Sequence, residues 1–261
     1  MPNYDQAIHK TNALRHTAEM QQMYAEEIKK SIKNTCCYGP DHVFSASASV
    51  SKPEFIFENK DSVTAAKDWA QNPANGKTAL LNFASYKFPG GGFIEGKMAQ
   101  EEAVCYGSFL YNVLKTFDSN YYLWNRQNLN GGLYLNRALY SPDIIFHLWK
   151  DQDGNKEFTA CDVITCASPN LRNEQYGHFT RNENDKTLQE RMDFIKNIAE
   201  ENGDETLILG AWGCGVFKQD PKFVAECIQK SFALTSVKRI VLAVPGRDRN
   251  AEVFRRVFSD K

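Results

Sequence analysis

The second half of the sequence alternates short apolar runs with longer amphipathic stretches, and this alternation limits the possible fold more than any other feature. Three predicted strands are each followed by a predicted helix: 162–167 by 186–201, 206–209 by 221–234, and 239–244 by 249–258. Repeated units of this kind build a sheet that helices cover on both faces. The sequence therefore predicts an α/β fold.

Two of these helices carry local start signals. Thr187 with Glu190 matches a capping box, and Asp220 followed by Pro221 places a preferred N-cap before a proline in the first turn. We therefore expect helices to begin near residues 187 and 221.

The first half of the sequence is less regular. Residues 4–33 place apolar side chains among charged ones at helical spacing, which predicts one or two surface helices that end before Pro40. The other predicted regular elements are strands at 42–50, 54–58 and 78–84 and helices at 62–70 and 101–115. Residues 120–157 are predicted to form an irregular insertion or an edge hairpin. Within this region, residues 133–135 and 143–149 are β-like and residues 152–154 form a turn. No linker rich in proline or serine divides the chain, so we expect one globular unit.

Two glycine-rich loops follow predicted strands. Gly90, Gly91 and Gly92 come after the strand at 78–84, and residues 210–217 come after the strand at 206–209. Ligands of an open α/β sheet bind beyond the carboxyl ends of the strands, and the N–H groups of glycine loops approach anions closely. We expect the two loops to hold a diphosphate from either side, with little need for positive charge.

Glu101 and Glu102 follow the first glycine loop, where a predicted helix begins. Neighbouring side chains on a helix point about 100° apart, so we expect one carboxyl to act and the other to support it. Two acids in a first helical turn can also simply complement the helix dipole. Next to a diphosphate they would repel the ligand unless one is protonated or contacts neutral hydroxyls, so the adjacent loop favours a chemical role.

Competing motifs fail at particular positions. Gly91, Gly96 and Lys97 nearly form a nucleotide-binding P-loop, but Met98 replaces the hydroxyl that would hold magnesium. Cys214 lies between glycines, but its neighbours do not match a nucleophile elbow. No dinucleotide-binding fingerprint opens a helix after an N-terminal strand. An NTPase, an oxidoreductase and a thiol hydrolase are therefore disfavoured.

The composition limits ligands and sites further. A formal net charge of −1 gives no general attraction for a polyanion, so we expect no sequence-specific nucleic-acid binding. The seven cysteines and five histidines form no cluster with metal-ligand spacing, so we expect no metal. No apolar run approaches the roughly 18 residues of a membrane span, and the first residues lack the pattern of a signal peptide. We expect a cytoplasmic protein without membrane contact, with a monomer as the default.

Three segments, in the same order along the chain, resemble one known family. The first runs from Asn82 through the triple glycine and seven further residues to Gln100, Glu101 and Glu102; the others are residues 161–170 and residues 210–221. Together they resemble the bacterial-type poly(ADP-ribose) glycohydrolases of the macrodomain superfamily. This resemblance implies a macrodomain-like three-layer α/β/α fold with a central mixed sheet, in which residues 1–40 form an N-terminal helical extension and residues 41–261 the catalytic domain.

The resemblance also implies an activity. It is the hydrolysis of ribose–ribose O-glycosidic bonds in poly(ADP-ribose) to release ADP-ribose, without metal or cofactor. Glu102 would act as general acid and then as general base, and Glu101 would hydrogen-bond ribose hydroxyls. The other residues implied to contact substrate are Asn82, Gly90, Gly91, Gly92, Gln100, Gly213, Cys214, Gly215, Val216 and Phe217.

Several alternatives stay open at this stage. The same cleft could read ADP-ribose without turnover, or could cleave mono-ADP-ribose from a protein or another substrate. Phe57, Glu58 and Thr64 are candidates for adenine recognition, and they are equally candidates for the core. Trp212 is interpreted as a packing residue. The aromatic residues of the 120–157 segment either cover the ligand or fill an edge of the sheet.

Overall fold

The computed structural model describes residues 4–45, 49–150, 156–176 and 178–259. Seven strands form one sheet between two helical layers. The strands are β1 Cys36–Tyr38, β2 Glu54–Glu58, β3 Thr78–Phe83, β4 Ala138–Lys150, β5 Lys156–Cys166, β6 Thr206–Leu209 and β7 Arg239–Ala243. The helices are α1 Tyr4–Met23, α2 Ala25–Asn34, α3 Ser62–Ala70, α4 Gln100–Gly107, α5 Leu110–Leu114, α6 Leu123–Gln127, α7 Arg181–Glu201, α8 Pro221–Ser231 and α9 Arg249–Ser259.

The sheet is mixed, with strand order β1-β4-β5-β3-β6-β7-β2. Strands β5, β3, β6, β7 and β2 run parallel, whereas β4 pairs antiparallel with both β5 and β1. The parallel strands are nearly continuous apolar runs because helices bury both of their faces. The carboxyl ends of β3, β5, β6 and β7 therefore meet at one edge, with their loops side by side.

The core has two halves, one on each face of the sheet. Leu80 points to the layer formed by helices α1 to α5, whereas Leu81 points to the layer of α7, α8 and α9. This alternation follows from the two-residue repeat of a strand. The predicted three-layer α/β/α fold with a central mixed sheet is confirmed.

The two predicted N-terminal helices are present as α1 and α2, and they pack on the same face as α4 and α5. The short strand β1 follows them and extends the sheet at its edge. A boundary between an extension and a catalytic domain at residue 40 stays a prediction. Neither these helices nor any other helix within the described residues has the length and apolar character needed to cross a membrane.

Some predicted boundaries were wrong. The helix expected over 101–115 breaks at Ser108, whose backbone is extended and whose hydroxyl donates to the carbonyl of Val104. A backbone bridge from Ser108 to Phe146 holds this break, so a tertiary contact overrides the local helical pattern. Helix α7 begins at Arg181, and its capping box is formed by Thr180 and Glu183 rather than by residues 187–190.

Two predicted strands are not found among the described residues. The described parts of residues 42–50 and all of residues 133–135 have no regular strand structure, and the turn expected at 152–154 lies outside the described residues. The positive φ of 61° at Tyr134 takes this segment out of extended geometry. In the 120–157 region the structure has β4 and the start of β5, which pair with each other. Strand β5 continues to Cys166 and lies inside the sheet, so the two strands do not form a separate edge hairpin.

A buried polar cluster lies at the edge of the sheet opposite the glycine loops. The Tyr140 hydroxyl lies within hydrogen-bond distance of both Asp162 and Asp204, and Lys77 Nζ lies 3.2 Å from Asp162 Oδ2. Burial is the main cause that raises the pKa of Asp204 to about 8, and the nearby Asp162 carboxylate raises it further. The Asp204 carboxyl is therefore protonated through much of the neutral pH range.

The cap of helix α8 gives a test of the local design of the fold. Asp220 Oδ1 accepts hydrogen bonds from the N–H groups of Lys222 (2.9 Å) and Phe223 (3.2 Å). We expect Asp220→Ala to lower the free energy of unfolding by about 1 kcal/mol, because these two donors lose their acceptor. Urea denaturation measures the change.

A matched control lies on the same helix. Glu226 forms only an exposed pair with Lys222 at 3.7 Å, so Glu226→Ala should change the free energy of unfolding by less than about 0.5 kcal/mol. Equal losses in the two variants would show that the cap does not stabilise the helix.

Candidate active site

The glycine loops and the carboxyl pair lie together at the carboxyl edge of the sheet. Two adjoining cavities of about 310 and 240 Å³ form a cleft there, and they share five lining residues: Phe83, Ala99, Gln100, Ala211 and Asn250. The smaller cavity is bounded by the second glycine loop, from Gly213 to Phe217. The larger one extends past the ends of β2 and β7 to Asp61 and Asp248.

Glu102 is fixed by the triple glycine and by the residue that precedes helix α4. Its Oε1 accepts a hydrogen bond from Gly92 N (2.8 Å), and its Oε2 accepts one from Ala99 N (3.0 Å). The second bond is a helix-capping interaction, so the dipole role considered from the sequence is present. The first bond joins the carboxylate to the glycine loop as well. Glu102 therefore lies on the same side of the molecule as that loop.

Glu101 is buried more deeply than a capping residue needs to be. It is 3% exposed, and its Oε2 accepts a hydrogen bond of 2.6 Å from Ser85 N. Burial is the largest cause that raises the pKa of Glu101 to about 8, and the Glu102 charge adds to it. The Glu101 carboxyl is therefore largely protonated at neutral pH.

The two carboxyls approach each other across Gly91. A Cβ atom on Gly91 would lie 2.8 Å from Glu101 Oε2 and 2.8 Å from Glu102 Oε1, and the φ of Gly91 is +60°. Only glycine fits this position. The two side chains start at neighbouring helical positions, but their carboxyl groups converge on one point.

Gln100 anchors the helix start to strand β3. Its Oε1 accepts a hydrogen bond from Phe83 N (2.7 Å), and its Nε2 donates to Leu81 O (3.0 Å). Strand β6 pairs with β3 only as far as Leu80, so the Gln100 amide continues the ladder where β6 has ended. Gln100 thereby positions the two glutamates. Its predicted contact with substrate stays a prediction.

Asn82 lies at the end of β3, beside Glu101. Its Nδ2 is 3.3 Å from Glu101 Oε1, and the residue is fully buried. Within the described residues, its Oδ1 is a buried oxygen without a hydrogen-bond partner. Such an atom is costly unless a further group binds it. The structure thus brings the predicted residue Asn82 next to the carboxyl pair.

The two glycine loops differ in what their N–H groups do. Gly91 N donates to Phe88 O (3.1 Å) and Gly92 N to Glu102, so these two donors are engaged within the loop. In contrast, the N–H groups of Gly215, Val216 and Phe217 donate to no other group in the described part of the chain. The second loop is therefore the better-prepared site for an anion. Substrate contact by residues 90–92 stays a prediction.

The side chains of the second loop divide into packing and exposed groups. Trp212 is buried, and its indole N–H donates to Cys166 O (3.0 Å), in agreement with its interpretation as a packing residue. Burial raises the pKa of Cys214 to about 12, so its thiol is not ionised at neutral pH, as a nucleophile would need to be. Val216 is exposed, and the ring of Phe217 lies 6.2 Å from that of Tyr134.

Helix α1 supports the loop that carries the triple glycine. Gln6 Nε2 donates to Glu95 O (3.0 Å), and Tyr106 of α4 donates to His9 O (2.6 Å). A Cβ atom on Gly96 would lie 2.3 Å from Gln6 O, so the loop touches the helix backbone there. The N-terminal helix is therefore part of the framework of the site.

Other cleft residues were missed by the sequence reasoning. Ser168 follows β5, and Asp248 and Asn250 lie at the start of α9; all three line the cleft. Ser168 lies within the 161–170 segment that resembles the family, and Asp248 and Asn250 follow a predicted strand; these were the available signals. Phe57, Glu58 and Thr64 do not line the cleft, whereas the neighbouring residues 61–63 do.

Comparison with known proteins identifies the family. The microbial-type PARG catalytic domain, where PARG is poly(ADP-ribose) glycohydrolase, matches residues 6–149, which is more than half of the chain. The chain belongs to this family. Its membership agrees with the geometry, because the matched region contains strand β3, the triple glycine and the carboxyl pair. No curated protein sequence matches the chain significantly.

Solved structures of the same family are similar over nearly the full length. Poly(ADP-ribose) glycohydrolase from Thermomonospora curvata is 26% identical, with 97% of this chain and 98% of that chain covered and a TM-score of 0.82. The same enzyme bound to the inhibitor ADP-HPD gives the same identity and coverage and a TM-score of 0.79. The enzyme from Deinococcus radiodurans in complex with ADP-ribose is 26% identical, with 90% and 97% covered and a TM-score of 0.74.

Family membership confirms the prediction of a poly(ADP-ribose) glycohydrolase, a glycosidase. The particular roles of the site residues are a separate matter, and the geometry of this chain bears on them directly. Among the described residues, no group of three or more His, Cys, Asp or Glu side chains is arranged to hold a metal ion.

The contact of Gly91 with both carboxyls gives a first test of the site. We expect Gly91→Ala to reduce the turnover of poly(ADP-ribose) at least tenfold, because a methyl group would displace both carboxyl oxygens. Glycohydrolase assays measure turnover. Gly203→Ala is the matched control, since Gly203 has a similar φ of +71° but no atom within 4 Å of its Cβ position. Similar losses in both variants would indicate backbone strain rather than displacement of the carboxyls.

The raised pKa of Glu101 gives a second test. A carboxyl with a pKa near 4.5 in the unfolded chain and about 8 in the folded one holds its proton more tightly when folded. Its contribution to stability is therefore complete below pH 4.5 and lost as the pH rises to 8, by up to about 1.4 kcal/mol per pH unit. Glu101→Gln, which cannot ionise, should flatten the fall in the free energy of unfolding between pH 5 and pH 8.

Urea denaturation at several pH values measures this slope. Asp204→Asn is a useful comparison, because the pKa of Asp204 is also raised to about 8 although Asp204 lies at the opposite edge of the sheet. This variant should flatten the fall in the free energy of unfolding over the same pH range. An unchanged slope in Glu101→Gln would mean that Glu101 is ionised in the folded protein.

Proposed function

We propose that this chain hydrolyses the ribose–ribose bond of poly(ADP-ribose) with Glu102 as general acid and base, and that it releases ADP-ribose. The observation that carries this proposal is the position of Glu102. Its carboxyl accepts a hydrogen bond from Gly92 of the first loop, at the sheet edge where three N–H groups of the second loop have no acceptor among the described residues. A diphosphate on those donors would bring the adjoining ribose to the carboxyl pair.

The diphosphate is assigned to the second loop. Gly215, Val216 and Phe217 offer consecutive unengaged N–H donors, and consecutive donors of this kind form a concave site for an anion. The ring of Phe217 packs beside a ribose attached to this diphosphate. The triple glycine mainly lets the backbone pass close to the two carboxyls.

The ribose at the cleaved bond is assigned to Glu101 and Asn82. The buried Asn82 Oδ1 needs a donor, and a ribose hydroxyl is a suitable one. A protonated Glu101 can hydrogen-bond a hydroxyl without adding a negative charge beside the diphosphate. Both residues orient the sugar rather than exchange protons with it.

The adenine ring is assigned to the larger cavity, beyond the ends of β2 and β7. That cavity continues from the diphosphate loop and is lined by apolar groups such as Val63, Val244 and Pro245, with polar side chains at its rim. A flat heterocycle with polar edges suits such a lining. The acidic Asp61 and Asp248 and the amide Asn250 are the groups available to its exocyclic amine.

The proposed reaction balances with these groups alone. In the reactive form of the proposed complex the Glu102 carboxyl carries a proton, and it gives this proton to the departing ribose oxygen while the bond from that oxygen to the anomeric carbon breaks. Water then adds to the oxocarbenium-like carbon and returns a proton to the Glu102 carboxylate. Most glycosidases use a second carboxylate on the opposite face of the sugar, but the proposed mechanism does not include one.

The role of Glu102 is tested by Glu102→Gln. Turnover of poly(ADP-ribose) should fall about 10²- to 10⁴-fold, which is the usual contribution of a general acid and base. Affinity for ADP-ribose, measured by calorimetry, should stay within a few-fold, because the diphosphate and adenine contacts are unchanged. Glu101→Gln is the matched variant and should lose less turnover, since it keeps a neutral hydrogen-bonding group.

The result that contradicts this assignment is a larger loss of turnover in Glu101→Gln than in Glu102→Gln. Binding of ADP-ribose without turnover of polymer by the native protein would instead indicate a reader. Incubation with a mono-ADP-ribosylated protein tests the remaining alternative, and release of ADP-ribose from this substrate alone would indicate a hydrolase of mono-ADP-ribosylated substrates. A cytoplasmic location and a monomeric state stay predictions of the sequence.

A further inference from the structure

The proposed diphosphate site has no cation in its walls. None of the residues that line the two cavities is lysine or arginine, whereas Asp61 and Asp248 are acidic. Lys218 and Arg249 lie just beyond the lining, but Lys218 is exposed, and Arg249 is 72% exposed and pairs with Asp220 at 2.7 Å. A diphosphate bound there would lie near several carboxyl groups with only backbone donors to oppose them.

One buried cation lies behind this wall. Arg191 of helix α7 is 1% exposed, and it is the only lysine or arginine among the buried residues of the described chain. Its Nε donates to Asn136 Oδ1 (3.1 Å), and one terminal nitrogen donates to Ala167 O (3.1 Å). Within the described residues it forms no ion pair with any carboxylate.

The absence of a carboxylate partner is unusual. Burial lowers the pKa of Arg191, yet a guanidinium group remains charged at any ordinary pH. Taking an unpaired charge out of water is costly, and buried charges are generally paired for that reason. Two neutral acceptors satisfy some of its donors, but they do not neutralise its charge.

The position of Arg191 relates it to the cleft. Its acceptor Ala167 immediately precedes Ser168, which lines the diphosphate cavity. Gly213 of the second glycine loop lines the same cavity, and a Cβ atom on it would lie 2.4 Å from Ser168 Oγ. The second loop therefore packs directly on Ser168. The guanidinium group thus lies behind the strand end that supports the proposed anion-binding loop.

We propose that the buried guanidinium group of Arg191 supplies the positive charge that the proposed diphosphate site lacks in its lining, and so sets the affinity for ADP-ribose. It acts through space, behind the Ala167–Ser168 wall, as a positioning residue that touches no substrate atom. The role rests on the proposed function, because it needs a diphosphate in the cleft. The substrate's negative charge takes the place of the missing carboxylate partner.

Asn136→Asp tests this role with little structural change. The substitution keeps the hydrogen-bond acceptor 3.1 Å from Arg191 Nε and adds a carboxylate that neutralises the guanidinium. We expect affinity for ADP-ribose to fall about tenfold or more, while affinity for adenosine, which has no phosphate, stays within twofold. Isothermal titration calorimetry at low salt measures the former, and ligand-observed NMR the latter. Asn136→Leu removes the acceptor without adding charge, and should lower ADP-ribose affinity much less.

A second pair of variants changes the arginine itself. Arg191→Met should lower ADP-ribose affinity about tenfold and leave its dependence on salt nearly unchanged, because a buried charge is little screened, whereas Arg191→Lys should keep most of the affinity. If Arg191→Met does not fold, the Asn136 variants still decide, since Asn136→Asp keeps Arg191 and an acceptor for its Nε.

The outcomes separate the two proposals. Equal losses for ADP-ribose and adenosine, or full ADP-ribose affinity in Asn136→Asp, would overturn the role of Arg191 and leave a structural one. Failure of the native protein to bind ADP-ribose would instead overturn the proposed function.

Discussion

Two neighbouring carboxyl groups, buried at one edge of the sheet, are the constraint on which the rest of this site depends. Each needs donors that water can no longer provide, and the donors are the backbone N–H groups of Ser85, Gly92 and Ala99. The loop before helix α4 must therefore fold back onto the helix start. Gly91 permits that close approach, Gln100 ties the helix to β3, and α1 supports the loop from outside.

The two glycine loops look alike in sequence but differ in how their backbone N–H groups are bonded. In the first, positive φ values and missing side chains let the backbone reach the carboxyls, and the N–H groups of Gly91 and Gly92 are already engaged. In the second, which follows β6, the N–H groups of Gly215, Val216 and Phe217 have no hydrogen-bond acceptor among the described residues. Glycine therefore serves close packing in the first loop, and the hydrogen-bond partners of the N–H groups, rather than the sequence, distinguish the two loops.

The sequence predicted those features that depend on local pattern. Strands β3, β6 and β7 and the cap at Asp220 were predicted because apolar runs and capping residues act over a few positions. The break at Ser108 was not, because a contact with Phe146 holds it from far along the chain. For the same reason the sequence placed Glu101 and Glu102 correctly beside the glycine loop but could not show their convergence on Gly91 or the raised pKa of Glu101, which depends on burial. Arg191 carried no signal at all, since in a helical stretch a buried arginine has the same pattern as an exposed one.

A buried arginine attracts anions differently from an exposed lysine at the entrance of a cleft. Exposed cations act over about a Debye length and attract any polyanion, including nucleic acid, with affinity that salt readily weakens. A guanidinium group enclosed by protein acts strongly only at short range, where little water screens it. The chain, with a net charge of −1, gains little general attraction for polyanions, so selection falls to the shape of the cleft. In the proposed complex, a diphosphate in the cavity that the second loop and Ser168 both line would meet the field of Arg191, and an anion held at the surface would not.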